Sequence, residues 1–451
     1  MSTIQNSDQF QVQSGSTQYK TTANLFRDNT KTYDNLLVNR SGTNYKQSRL
    51  NRYNVDYSDK LYVNRSGVDY TVSGEDYFNY MWQYGQSIPT TGATSDPIAA
   101  GNDRFMTRIN GSDDVKVFNY SGTLLTTITD PASYFIDYGA AVKISDQYSQ
   151  LYVGATDYAQ GGVSSGDDIG ALYVYNMSGN FQQLLTAADP LDNAKFGYSV
   201  DANRDRLVVG SPGWGSFFGA GPYQSGGAYL YSRSGSTWNY ITKMVASDRD
   251  EQWDLGQSVA ISDDDKVFAG APGYDGTSAG CGAVYTYNIN GTGEQKIVNP
   301  DDGNANAVAA LFGWSIDTAD GLIVIGAPGT RSNSGNDTNV GAVYLYQTNG
   351  TYLGKMQAPT LTPKLYYGAS VSIGSGRIIV GAHGKGDFGD PAIAPFGNGS
   401  VYVYDYNRNL KQTLRPSTSG SRYGYSVSMS NTGKFVVTAY LEANKSIYLY
   451  D

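Results

Sequence analysis

The sequence predicts an all-β protein: a seven-bladed β-propeller preceded by a small module of β-hairpins. Three observations support this fold class. A glycine-containing strand motif returns six times along the 451-residue chain at nearly constant spacing, and each period contains four strand-like segments. The composition is also rich in glycine (54) and tyrosine (39). Tyrosine packs well on pleated sheets and glycine supplies positive φ angles in tight turns, so this composition favours many short strands.

The repeated motif is clearest in FGYSVDAN, which begins at Phe196. The six copies are YGAAVKIS from Tyr138, FGYSVDAN from Phe196, LGQSVAIS from Leu255, FGWSIDTA from Phe312, YGASVSIG from Tyr367 and YGYSVSMS from Tyr423. Successive copies begin 55 to 59 residues apart. A constant period of this size is typical of one supersecondary unit repeated in an array, and the larger all-β periods are typical of propeller blades.

Each period contains four predicted strands, which we name A to D. Strand A carries the motif, and strand B is the apolar run that ends in GAPG, as in LIVIGAPG from Leu322 to Gly329. Strand C is GAVYLY at 341–346, and strand D follows a glycine-containing turn, as in TYLGKMQA at 351–358. Strand B is almost continuously apolar, as expected of a strand in a blade that neighbouring blades cover on both faces. Four strands per period match one blade.

The number of blades is harder to predict, because strand A occurs six times and C-like strands occur seven times. Residues 113–128 supply an extra C and D after the short B-like segment RFMTRI, whereas the final SIYLYD is a C strand without its D. A propeller must close its ring to cover the edges of its first and last blades, often with strands from both termini. We therefore predict seven blades, one of them mixed or incomplete. The alternative is six blades, with 113–128 completing the last.

The paired residues Phe196-Gly197 and Phe312-Gly313 and the segments GAPG at 270–273 and 326–329 resemble the FG-GAP repeat. This repeat builds the propeller of integrin alpha chains and occurs in various bacterial and viral proteins. The resemblance covers roughly residues 101–451 and implies the fold without specifying a function. Members commonly carry a calcium loop between FG and GAP, but the corresponding connections here are short. The nearest approach is three consecutive aspartates at 263–265, where we expect a turn, no metal and no cofactor.

Loop lengths predict which end of the propeller binds a ligand. In an antiparallel blade the short A-to-B and C-to-D turns share one end, and the longer B-to-C and D-to-A connections share the other, which we call the long-loop face. Long loops on a rigid scaffold are the usual place for binding. Candidate ligand-binding aromatic residues in these loops are Trp214, Phe217, Phe218, Tyr223, Trp253, Phe388 and Phe396. Their rings could stack on sugars, or they could fold back as structural clusters. Nearby acidic residues at 248–254 are expected to form a solvated loop rather than a cation site.

The sequence carries no recognisable catalytic constellation, so we expect the protein not to be an enzyme. Its one histidine, His383, occupies a position where other repeats have proline, and no nucleophile motif, P-loop or dinucleotide fingerprint is present. The net charge of −9 without a basic stripe argues against a nucleic-acid partner. No stretch approaches eighteen apolar residues, which argues against membrane insertion, and the first thirty residues contain no secretion signal. The lone Cys281 is expected to be a small buried residue outside any disulfide.

Residues 1–84 form a second region that contains a smaller repeat. Hairpin-like segments begin at Leu37 and Lys60, with a looser copy from Phe10, and residues 85–100 are predicted to be a linker before the propeller at 101–451. The segments resemble modules near the start of virion and tail-fibre proteins from phages of cyanobacteria. The residues that carry this resemblance, and the candidate attachment residues, are Val38, Arg40, Gly42, Tyr45, Val63, Arg65, Gly67 and Tyr70.

The resemblance implies a phage virion protein of the tail, fibre or baseplate region, assembled in the host cytoplasm. We expect residues 1–84 to bind other virion proteins, since hairpins with uncovered edges readily extend the sheet of another subunit. The protein is further expected to be a homo-oligomer within the particle and to display its propeller for recognition of a host-surface glycan or receptor. Two alternatives remain: a structural decoration or adaptor of capsid, neck or tail, and a bacterial adhesion or carbohydrate-binding protein.

Overall fold

The computed structural model of the protein divides the chain into two compact units, Met1–Gly85 and Gln86–Asp451. The structure describes six strands between residues 9 and 73, then residues 86–89 and 97–450. Within the last range it leaves out 110–113, 130–136, 160–167, 204, 216–222, 333–338, 362, 385–398, 416–421 and 440–445. The described residues form one six-stranded sheet in the first unit and seven four-stranded sheets in the second.

The first unit consists of three hairpins. Their strands are β1 (Gln9–Ser14), β2 (Thr17–Thr22), β3 (Asn35–Arg40), β4 (Thr43–Ser48), β5 (Lys60–Arg65) and β6 (Val68–Ser73). The three are equivalent in register, since the pairs Val12 with Tyr19, Val38 with Tyr45, and Val63 with Tyr70 face each other across the strands. The looser copy near Phe10 is therefore a hairpin like the other two. Arg40 and Arg65 end their strands, whereas Gly42 and Gly67 lie outside the described residues.

The first strands of the three hairpins pair with one another in a closed cycle. The contacts that close it are Val12 with Leu36, Val38 with Leu61, and Val63 with Phe10. Each first strand therefore uses one half of its outer edge for each neighbouring hairpin. Strands β2, β4 and β6 pair only with their own hairpin partners among the described residues. The sequence repeat thus gives the hairpin unit an internal threefold arrangement.

The second unit contains seven blades, each with the strand order A-B-C-D. The strands of blades 1 to 3 are β8 (Ile98–Ala100), β9 (Arg104–Ile109), β10 (Asp114–Asn119) and β11 (Leu124–Ile128); β12 (Tyr138–Ser145), β13 (Gln150–Ala155), β14 (Ala171–Asn176) and β15 (Phe181–Leu185); and β16 (Ser199–Asn203), β17 (Arg206–Ser211), β18 (Gly227–Ser234) and β19 (Thr237–Met244).

Blades 4 to 7 follow the same pattern. Their strands are β20 (Val259–Ile261), β21 (Lys266–Ala271), β22 (Ala283–Asn288) and β23 (Gln295–Val298); β24 (Ser315–Ala319), β25 (Leu322–Ala327), β26 (Ala342–Gln347) and β27 (Tyr352–Met356); β28 (Ser370–Gly374), β29 (Arg377–Ala382), β30 (Ser400–Asp405) and β31 (Leu410–Leu414); and β32 (Tyr423–Met429), β33 (Phe435–Ala439), β34 (Ser446–Tyr450) and β7 (Gln86–Pro89). A 3-10 turn at Ala305–Ala307 precedes β24. Strand A of every blade contacts strand A of both neighbours, so the A strands form a ring around a central channel.

The last blade combines strands from both ends of the chain. Strand β7 pairs antiparallel with β34, with Ile88 opposite Ile447, and supplies the D strand that the C-terminal segment lacks. The predictions of seven blades and of closure by both termini are therefore confirmed, and the six-blade alternative is wrong. Residues 85–100, assigned to a linker, instead contribute β7 and β8, so the propeller begins at Gln86. These two strands were missed because they are short and carry no copy of the motif.

Adjacent blades meet through backbone contacts at glycines. The φ of the motif glycine Gly313 is +92°, a conformation that non-glycine residues rarely adopt. The glycine that begins GAPG faces the motif glycine of the next blade, and a Cβ added to Gly326 would lie 2.1 Å from the carbonyl oxygen of Gly368. Equivalent contacts join Gly154 to Gly197, Gly210 to Gly256, Gly270 to Gly313, and Gly381 to Gly424. The motif glycine and the first glycine of GAPG are therefore explained by interblade spacing.

The first residue of the motif fills the space beside this contact. Phe196, Phe312 and Tyr367 are fully buried, and each forms a parallel backbone bridge with the glycine before strand C of the preceding blade. Cys281, which precedes one of these glycines, is also fully buried, as predicted. The core of the propeller therefore lies between blades as well as within them.

The glycine contact predicts different costs for two glycine-to-alanine substitutions. Gly326→Ala places a methyl group against the Gly368 carbonyl, and we expect a loss of about 2 kcal/mol or more in the free energy of unfolding. Gly374→Ala is the control, because its added Cβ meets only the flexible Cε of Met429 at 3.5 Å. We expect this control to change stability by less than about 0.5 kcal/mol. Urea titration measures both, and equal losses would contradict the spacing role.

Ring closure by β7 predicts the effect of two truncations. A chain that begins at Gln86 keeps β7 and should unfold at nearly the full-length temperature. A chain that begins at residue 90 loses the four-residue ladder with β34, and we expect its Tm to fall by about 5–10 °C, from roughly 1 kcal/mol per hydrogen bond. Calorimetry of the two proteins measures the difference, and matching Tm values would show that closure contributes little.

Candidate functional site

The three candidate aromatic residues that the structure describes differ in their burial and contacts. Trp253 is only 6% exposed, and its ring packs edge-on against Tyr274 at a centroid distance of 4.7 Å. It belongs to the core of blades 3 and 4 rather than to an exposed platform. Tyr223 is half-buried, and its carbonyl oxygen accepts a hydrogen bond from the backbone of Gln252. Phe217, Phe218, Phe388 and Phe396 lie outside the described residues.

Trp214 is half-buried and already engaged by a cation. Lys243 places its Nζ 3.6 Å from the centre of the indole ring and also pairs with Asp189. One face of this ring is therefore occupied within the protein. Among the described candidates, the structure does not assemble Trp214, Tyr223 and Trp253 into one exposed aromatic surface.

Lys243 belongs to a triad that recurs in three blades. In blade 3, Tyr229 and Lys243 face each other on strands C and D, and the Tyr229 hydroxyl donates to Asp189 at 2.7 Å. The aspartate lies in the D-to-A link that enters the same blade. The equivalent triads are Asp248 with Tyr285 and Lys296, and Asp301 with Tyr344 and Lys355. These links are thereby held to the outer strands of blades 3 to 5.

One residue of the acidic segment at 248–254, Asp248, belongs to such a triad. Burial by itself would raise the pKa of Asp248, but hydrogen bonds from Lys296 and Tyr285 and the charge of Lys296 lower it overall. Asp254 lacks such an arrangement, and burial raises the pKa of this carboxyl to about 6, with partial opposition from Lys195. Asp248 therefore serves an internal contact, while Asp254 carries a proton more readily than an ordinary aspartate.

The third position of the motif supplies an aromatic site that the sequence reasoning missed. The residues at this position are Ala140, Tyr198, Gln257, Trp314, Ala369 and Tyr425. They follow the turn that enters strand A, at the long-loop end of the innermost strands. Trp314 is 38% exposed, and Tyr198 accepts a hydrogen bond at 2.9 Å from the side chain of Gln257 in the next blade. We call these six residues the collar.

His383 lies beside the collar at the end of strand B in blade 6. Its ring stacks on Tyr366 at 5.1 Å and contacts the collar residue Tyr425 at 5.3 Å. Burial, with the nearby charge of Arg422, lowers the pKa of His383 to about 4. The imidazole is therefore neutral at physiological pH and packs as an aromatic ring.

The sixth position of the motif lines the channel at the opposite end. The residues are Lys143, Asp201, Ala260, Asp317, Ser372 and Ser428, and hydrogen bonding places Ala99 at the equivalent point of blade 1. Where this side chain is an acceptor, it binds the next blade: Asp201 accepts from the backbone of Ile261 at 2.7 Å, and Asp317 from that of Ile373 at 2.9 Å. We call these seven residues the channel ring. Its four acceptors, Asp201, Asp317, Ser372 and Ser428, cap backbone N–H groups of the next A strand.

Lys143 and two aspartates form the charged part of the channel ring. The Lys143 Nζ lies 2.6 Å from the Asp201 Oδ1, and about a third of the lysine side chain is exposed, against a tenth for the aspartate. Burial alone would lower the pKa of Lys143, but the carboxylates of Asp201 and Asp317 raise it overall. Burial raises the pKa of Asp317, partly offset by Lys143. The channel thus holds one ammonium group that is paired with Asp201 and also interacts with the charge of Asp317.

Beyond this ring, at the short-turn end, the channel opens into a cavity of about 340 Å³. Asp146, Asp263 and Asp320 from three A-to-B turns contribute to its outer lining. Asp263 accepts a hydrogen bond from Asn203 at 2.9 Å, whereas Asp264 binds Ser262 and Thr348 instead. The consecutive aspartates at 263–265 thus serve different neighbours in a turn. Among the described residues, no group of three His, Cys, Asp or Glu side chains is arranged to hold a metal ion.

A comparison of repeats could have identified both sets of residues. Across the six copies, positions 1, 2, 4 and 5 hold similar residue types, whereas position 3 varies from alanine to tryptophan and position 6 from lysine to aspartate. Variation at a fixed place in a repeat is a signal for side chains that packing does not constrain. The sequence alone favours an architectural role for the motif and binding by the loops, because the motif recurs and the loops do not.

The environment of His383 predicts a pH effect on stability. The imidazole pKa is about 4 in the folded protein and about 6.5 when unfolded, so the unfolded chain binds more protons between these values. Stability contributed by the neutral ring is present above pH 6.5 and is lost as the pH falls toward 4. Compared with His383→Gln, the native protein should lose about 2 kcal/mol more between pH 7 and pH 4.5. Urea titrations at both pH values test this, and parallel losses would contradict it.

Comparison with known proteins agrees with this geometry. The FG-GAP repeat matches residues 180–231, 238–287 and 292–346, and each match runs from strand D of one blade to strand C of the next. No curated protein shows significant sequence similarity to the chain. In the described part of the chain, no helix is both long enough and apolar enough to cross a membrane. The matched repeats and the seven blades together show that Gln86–Asp451 is a seven-bladed β-propeller that contains FG-GAP repeats.

Proposed function

We propose that the protein is a non-enzymatic virion component of a phage of cyanobacteria, in the tail, fibre or baseplate region. A propeller of FG-GAP repeats favours a role in binding or recognition. The VNRSG segments at 38–42 and 63–67, with their resemblance to modules of cyanophage virion proteins, support the placement on a particle. In this proposal the hairpins bind other virion proteins, and the propeller recognises a host-surface glycan or receptor.

The observation that carries the recognition role is the exposed indole of Trp314 in the collar. A large aromatic side chain that stays 38% exposed has surface available for contact with a ligand. The collar also offers polar groups, since Tyr198 and Gln257 lie in neighbouring blades and Asp254 lies three residues before Gln257. Aromatic faces flanked by hydrogen-bonding groups are suited to sugar rings. The triads hold the D-to-A links of this face in place, which lowers the entropic cost of binding.

A second candidate function is that of a structural decoration or adaptor that contacts only virion proteins. The outer strands favour it, because Phe181 is 57% exposed and Tyr240 and Tyr352 are each 46% exposed. All three lie on D strands, at the outer edge of blades 2, 3 and 5. Exposed aromatic residues repeated around the rim of the propeller are suited to packing against neighbouring subunits.

The two functions predict opposite results for two substitutions in the same blade. If the collar recognises the host, Trp314→Ala should weaken binding of the labelled full-length protein to intact cyanobacterial cells at least ten-fold. Tyr352→Ala, which removes a comparably exposed ring from the outer strand of blade 5, should leave binding unchanged. Flow cytometry at increasing protein concentration measures both affinities, with circular dichroism as the check on folding.

Binding that is absent, or that survives Trp314→Ala, would contradict collar recognition. Detection of the chain in purified phage particles by mass spectrometry, together with no cell binding, would support the adaptor function instead. Cell binding without any association with particles would favour a bacterial adhesion protein.

A further inference from the structure

The cavity at the short-turn end of the channel is a second concave site, at the opposite end of the propeller axis from the collar. Its volume of about 340 Å³ lies within the range of small-molecule pockets. It is formed by the ends of the A strands and the A-to-B turns, which are short and well packed. The walls are therefore set by the blades themselves rather than by long loops.

The charges in the lining exclude the simplest ligands. Five aspartates and one lysine line the cavity, so an anion would be repelled by the surrounding carboxylates. A metal ion is disfavoured for a different reason: the ammonium group of Lys143 lies at the inner end, 2.6 Å from Asp201. The Asp317 carboxylate is likewise committed, since it accepts hydrogen bonds from Ile373 and Ser372.

What the cavity offers instead is a mixture of hydrogen-bond donors and acceptors. Lys143 has three N–H groups, of which Asp201 takes one. Ser428 accepts from the backbone of Ala100, which leaves its hydroxyl proton for another acceptor. On the outer wall, Asp263 uses one carboxylate oxygen for Asn203, and Asp320 uses one for the hydroxyl of Tyr406. The second oxygen of each carboxylate stays available as an acceptor.

Neutral molecules with several hydroxyl groups match this lining. Each hydroxyl both donates and accepts, so adjacent hydroxyls can bind a carboxylate and an ammonium group at once without adding net charge. An apolar ligand would leave the polar groups of the lining without partners. We propose that the channel cavity binds a single sugar residue through Lys143, Ser428 and the aspartates of the A-to-B turns. This site is independent of the collar and of the proposed virion function.

The test is saturation-transfer-difference NMR of the full-length protein with D-glucose, D-galactose, D-mannose, L-rhamnose and N-acetyl-D-glucosamine, each titrated separately. At least one sugar should bind saturably. Gly374→Leu should abolish this binding, because Gly374 lines the cavity and its backbone accommodates a Cβ. Asp263→Asn, which removes a charge without changing volume, should weaken binding at least three-fold.

Two control variants make the result specific. Asp205→Asn removes a carboxylate in the A-to-B turn of blade 3 that lies outside the cavity and is 66% exposed, and it should leave binding unchanged. Tyr352→Ala, on the outer strand of blade 5 and outside the cavity, should also leave it unchanged. No binding of any sugar by the folded protein, or binding that persists in Gly374→Leu, would overturn the proposal. Loss of binding in Trp314→Ala would overturn it as well, by placing the sugar at the collar.

Discussion

The structure depends on one close approach of two backbones, repeated between blades. The Cα of Gly326 faces the carbonyl oxygen of Gly368 in the next blade so closely that no side chain fits between them. The positive φ of Gly368, +87°, turns that carbonyl toward the contact. Two glycines on different strands therefore set the distance between blades, and the buried Tyr367 fills the space beside them. The FG and GAP elements of the sequence are the two sides of one interface, which explains why they recur together.

This interface has a consequence for the channel. Packing the A strands into a ring leaves their inner N–H groups without a sheet partner, because strand A is the edge of each blade. Sixth-position side chains meet this need across the interface, as Asp317 does for Ile373. Where the preceding blade has Ala260, which offers no acceptor, Asp317 also accepts from the backbone of Thr318. The ring tolerates different residues because one aspartate can serve two N–H groups, and this tolerance permits a charged and asymmetric channel.

The fold could be predicted from sequence because the glycine contacts require the same residue types at the same positions of each copy of the motif. Strand β8 could not, since Ile98–Ala100 takes the place of strand A without carrying the motif. The exposure of the candidate aromatic residues was harder to predict, because the position of a residue in a loop does not determine its burial. Trp253 lies in a D-to-A link yet is 6% exposed. Trp314 was overlooked for the opposite reason, since it lies inside a repeat yet is exposed. Residues at equivalent positions of different blades share a backbone environment, but their side chains differ in type.

Two positions of the same motif therefore place different side chains at the two ends of the propeller axis. Position 3 lies where the chain enters strand A, at the long-loop end, and there it places Trp314 and Tyr198. Position 6 lies nearer the short turns and places Lys143 and Asp201 in the channel. Neither position takes part in the glycine contact, so substitutions there leave that contact intact, whereas a change at Gly326 does not. Recognition can thus diversify within the repeat itself, through residues that the constant positions hold in place but do not constrain in type.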